Sequence, residues 1–119
     1  MIVDYAKNQV ALFVGGSNTN YPSYFILGSG SGTVLASNTE LIKSWDRQLV
    51  TETSFPTAQK IKWQGDWASV EVSGLDLREF GIIPSGAALT GSVWSRTGFP
   101  AITFDGTNEL RIEEIWEVF

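Results

Sequence analysis

The chain has 119 residues, enough for one domain with its own core. Its 43% hydrophobic and 18% charged residues are ordinary for a globular protein, and five tryptophans raise the aromatic share to 13%. A net charge of −5 without a basic cluster argues against nucleic acid, and the lack of Cys and His excludes disulfides, thiolate chemistry, imidazole bases and the usual transition-metal ligands.

From the N-terminus, Ala6, Val10, Phe13 and Val14 fall at helical spacing. Asp4 is placed to cap a short amphipathic helix and Gly15-Gly16 to end it, a strand being the alternative. Asp4 also stands where a secretion signal would be basic. No apolar run approaches the roughly 20 residues that span a bilayer. The expectation is a soluble protein made in a cytoplasm, with no membrane partner.

Tyr24-Phe25-Ile26-Leu27 reads as a buried strand leaving the core through the glycine-rich loop Gly28–Gly32. That loop lacks both the third glycine of a dinucleotide fingerprint, Thr33 standing in its place, and the lysine of a P-loop. A mobile loop is the expectation. Ser37–Trp45 is ambiguous, with Ser37 or Asn38 able to cap one helical turn.

Beyond it the period becomes two. Leu49, Thr51, Thr53 and Phe55 alternate with polar neighbours, as do Ile61 and Trp63, and Gln64-Gly65-Asp66 then offers turn chemistry. Ala68, Val70 and Val72 predict a further strand, and others are predicted at Glu79–Ile83, Ser92–Arg96, Ala101–Phe104 and Leu110–Val118. The last has Leu110, Ile112, Trp116 and Val118 on one face and Arg111, Glu113 and Glu117 on the other. Glu114 breaks that alternation, which suggests a bulge or a subunit contact. The fold class expected is mainly β: an antiparallel sandwich or barrel-like domain with a short N-terminal helix. One domain fills 1–119, its helical segment over 1–15 and its β domain over 22–119.

Candidate sites are sparse. Asp105-Gly106-Thr107-Asn108-Glu109 offers oxygen ligands for Ca²⁺ but reads better as a turn between Phe104 and Leu110. Glu113, Glu114 and Glu117 are the densest carboxylates; on a strand, neighbours point to opposite faces, so they read as a solvated face and not as a hydrolytic pair. No base stands ready to activate a serine or threonine. No catalytic, metal or cofactor residue is expected. Trp45, Trp67 and Trp94 could contact sugar or protein if exposed in a row.

Two segments resemble a family of small virion proteins of tailed bacteriophages, labelled tail-fibre or minor structural proteins. Tyr24–Thr33, Asn38-Thr39-Glu40-Leu41 and Arg47 are similar to its opening half; Glu79-Phe80-Gly81-Ile82, Ser95-Arg96, Phe99-Pro100 and Leu110-Arg111-Ile112 are similar to its closing half. The chain departs from the pattern at Val70–Asp76, which lacks the Asn-Gly usual before Glu-Phe-Gly. The resemblance implies a β-rich, non-catalytic part of the virion: a tail, neck or baseplate protein or a capsid decoration. Expected partners are copies of itself and other virion proteins. A carbohydrate-binding sandwich for host attachment is the alternative. Ile2, Val3, Tyr5, Ile115 and Phe119 are the expected interface, because the apolar and aromatic content exceeds what a thin core hides. Glu79 and Arg96 are the charged members of otherwise apolar or small-residue strands, and are expected to form a structural pair.

Overall fold

A computed structural model describes residues 1–16, 21–57, 59–86 and 91–117. In chain order these form α1 (Asp4–Val14), β1 (Tyr24–Gly28), β2 (Ser44–Leu49), β3 (Glu52–Ser54), β4 (Lys60–Trp67), β5 (Asp76–Ile83), β6 (Thr97–Thr103) and β7 (Leu110–Glu117). All pairings between strands are antiparallel, in two open sheets ordered β2-β1-β5-β6 and β3-β4-β7. The fold is therefore mainly β with one short helix, and its sheets do not close into a barrel.

Helix α1 runs where the 3.6-residue period places it. Val3 sits at its N-cap, its carbonyl accepting from the Ala6 and Lys7 N–H groups, so Asp4 occupies the first helical position and supplies negative charge to the dipole's positive end. At the other end Gly16 takes a left-handed φ of 78°. No described helix is long and apolar enough to cross a membrane.

The core lies between the sheets. Phe25 and Leu27 share a face of β1 with Phe80 and Ile82 of β5, and Phe25 meets Trp67 of β4 edge-on, 5.8 Å between ring centres. On β4, Ile61, Trp63, Gly65 and Trp67 point inward and oppose Trp116, Glu114, Ile112 and Leu110 of β7. Gly65 is thus not part of a turn. A β-carbon there would stand 2.6 Å from Phe25 and 2.7 Å from the Trp67 ring, so glycine is the residue that lets β4 carry the larger rings past one another.

Other departures from the alternation have local causes. The run Leu49–Phe55 splits into two strands of different sheets: Val50 donates to the Ser23 carbonyl beside the first sheet, and the next N–H, that of Thr51, donates to Gln64 of the second. The stretch Ala68–Val72 turns instead of extending, because the Glu71 carboxylate takes the Ala68 N–H while the Glu71 N–H returns to the Ala68 carbonyl. Val72 is buried there and Val70 is 78% exposed. Ser92–Arg96 forms no strand beyond a bridge between Ser95 and Ile2. β6 begins earlier than Ala101, and it takes Pro100 without penalty because an edge strand has one side free of ladder bonds.

Candidate functional site

Two structures in this molecule concentrate chemistry: a buried ion pair under the glycine-rich loop, and an apolar groove floored by tryptophan. Glu79 projects from β5 onto the face that Gly28 shares. Its Oε2 accepts from the Gly30 N–H at 2.8 Å and the Lys43 N–H at 2.9 Å; its Oε1 accepts from the Ile42 N–H at 2.9 Å and Arg96 Nε at 3.1 Å. Both side chains are 0% exposed. Arg96 also donates from Nη1 to the Thr33 carbonyl at 3.0 Å and to Asn38 Oδ1 at 3.2 Å. That same Asn38 oxygen accepts the Leu35 N–H, so one charged pair fixes the segment between β1 and β2 at four backbone groups, and at the Asn38 side chain besides.

The glycine-rich loop is accordingly tethered at Ser29, Gly30 and Thr33. A β-carbon at Gly30 would lie 2.5 Å from Glu79 Oε2 and 2.6 Å from the Lys43 nitrogen. Glycine stands there so that its N–H can reach a buried carboxylate. With its Gly30 N–H committed to Glu79 and its Ser29 N–H to the Lys43 carbonyl, two of the loop's donors are already satisfied within the chain.

The groove lies between α1 and the end of the second sheet and has a volume of about 460 Å³. Trp63, Trp94 and Trp116 floor it, with Trp63 and Trp116 edge-on at 5.1 Å and Trp94 and Trp116 stacked at 6.2 Å. Lys7, Val10 and Val14 of α1 form one wall, and Glu117 ends β7 at the rim. This volume falls within the range of ligand and side-chain pockets, and its lining is almost wholly apolar.

Behind the groove, Glu114 points inward, continuing the alternation of β7 without a bulge. Ser95 Oγ donates to it at 2.8 Å and 2.9 Å, and Trp116 Nε1 donates at 2.8 Å. The residue that breaks the sequence pattern is thus the polar tie holding the groove's floor, not part of a solvated face. Burial pushes its pKa up, opposed by the Ser95 and Trp116 hydrogen bonds. A carboxyl raised in the folded state contributes stability that is present below its unfolded pKa and is lost as pH rises through the folded one. Glu114→Gln should therefore raise the melting temperature at pH 8 and lose that advantage towards pH 4; equal shifts at both pH values would refute the assignment.

The residues expected at an interface separate. Ile2 is 36% exposed and Ile115 is 53% exposed, whereas Val3 is fully buried because the turn into α1 folds it into the core. Tyr5 is half-buried against that core, and Phe119 lies outside the described residues. Of the three tryptophans, Trp67 and Trp94 are core residues at 1% and 4% exposure, and only Trp45, on edge strand β2, reaches solvent. They form no solvent-facing row. The carboxylate of Asp105 is turned back onto the N–H and hydroxyl of Thr107, as befits a turn. No cluster of three carboxylates fit for a metal occurs among the described residues.

Sequence reasoning gave Lys7 no role, read Glu117 as part of a solvated face and missed the groove they border. The available signal was the i, i+3, i+7 spacing of Lys7, Val10 and Val14, which places them on one helical stripe. Compared with known protein families, curated proteins and solved structures, the chain matches none.

Proposed function

We propose that this chain is a non-catalytic building block of a tailed-bacteriophage particle, working through apolar contact with neighbouring proteins. The observation that carries the reading is the open tryptophan-floored groove with exposed valines on its helical wall. A monomer gains nothing by leaving such a surface wet, and surfaces of this kind mark interfaces. The resemblance of Tyr24–Thr33 and Glu79–Ile82 to virion proteins supports the particle as its location. The Glu79–Arg96 node fits the same role, since it commits two fully buried charges to holding the β1–β2 segment in place.

Mass spectrometry of virions purified from cells that express the chain tests this. It should be present in the particles at a fixed stoichiometry. Recovery only from the soluble lysate would overturn the reading.

A further inference from the structure

We infer that the occupant of the groove is a second copy of this chain, the two copies packing their α1 stripes across a two-fold axis. The inference rests on the reading of the groove as a packing surface and names its partner. Charge complementarity argues for it. The chain carries a net charge of −5, so two copies repel wherever carboxylates dominate the approaching faces. The charged side chains lining the groove are one cation and one anion, Lys7 and Glu117, and the face is locally neutral. Neither makes an ion pair within the chain among the described residues.

A two-fold contact is reciprocal: if Lys7 of one copy meets Glu117 of the other, the converse pair forms as well. Spacing agrees. Lys7, Val10 and Val14 occupy i, i+3 and i+7, the anchor pattern by which a helix enters an apolar groove. Val10 is 39% exposed and Val14 is 85% exposed, so both are available to leave water against the partner's half-buried Trp116 and the exposed apolar rim around it. Self-association through this face also leaves the exposed Ile115, on the opposite side of β7, for a different neighbour.

Sedimentation equilibrium over a wide concentration range reads the outcome. The wild-type chain should dimerise, and Val14→Glu, at a site too exposed to disturb folding, should weaken the dimer about tenfold or more. Lys7→Glu and Glu117→Lys should each weaken it, and the double exchange should restore it. Circular dichroism would verify that each variant is folded. A dimer indifferent to these changes, or a double exchange no better than either single one, would overturn the inference. So would a wild-type chain that stays monomeric while Val14→Glu is lost from virions; the groove would then serve another virion protein, and the proposed function would stand. If the chain is monomeric and Val14→Glu enters particles normally, both readings fall.

Discussion

Replacing Arg96 by alanine is expected to cost about 3–5 kcal/mol of unfolding free energy, the range for stripping one partner from a buried ion pair. The loss would not come from the Coulombic attraction alone. Glu79 keeps its three backbone donors at Gly30, Ile42 and Lys43, but a carboxylate with 0% exposure would have no cation beside it. Thr33 and Asn38 would each lose the Arg96 donor as well, loosening the segment that the pair holds against β5. Replacing both charges together, Glu79→Gln with Arg96→Met, should cost less than Arg96→Ala alone, because no unpaired charge remains in the interior. Urea denaturation of the three proteins gives both comparisons. A melt of Arg96→Ala indistinguishable from wild type would mean that the pair is solvated and does not hold the fold.

Both partners of that pair were legible in the sequence as charges out of place in apolar strands. Their consequence for the loop was not. Gly28–Gly32 looks mobile because glycine composition reports conformational freedom, whereas the reason for Gly30 is a carboxylate 49 residues away that only the pairing of β1 with β5 brings in. Gly65 failed in the same way. A Gln-Gly-Asp triplet has turn chemistry in isolation, and the packing of Phe25 against Trp67 from another sheet makes it a strand interior. Alternation read correctly where one face meets the core along the whole element, as in β4 before Gly65 and in β7. It misled at Ala68–Val72, where a local side-chain bond from Glu71 competes with the ladder. Glu114 was visible as an anomaly, and its partners Ser95 and Trp116 explain it without a bulge. The groove was hidden for a different reason: its wall and floor come from α1, β4, β7 and Trp94 in the segment before β6, and no single window of sequence contains them.

Trp67→Ala is expected to destabilise the domain by about 3–5 kcal/mol, as for other fully buried aromatic side chains truncated to a methyl group. Trp67 is 1% exposed, sits at the inward end of β4 and meets Phe25 edge-on across the two sheets. Truncation would leave a void between layers that Gly65 cannot fill, since it has no side chain to shift. Trp67→Phe should cost much less. It keeps an aromatic edge for Phe25 and removes an indole N–H that has no partner among the described residues, a group whose burial is itself unfavourable. Trp45→Ala, on an exposed edge strand at 42% exposure, should stay within about 0.5 kcal/mol of wild type. The contrast also separates packing from surface contact: any ligand lost with Trp67→Ala is lost with the fold, and only Trp45→Ala reports on a contact made at the surface. Guanidinium denaturation followed by circular dichroism, which does not depend on the tryptophans being removed, ranks the three variants. Trp67→Ala as stable as Trp45→Ala would place Trp67 outside the core and dissolve the packing of the two sheets described above.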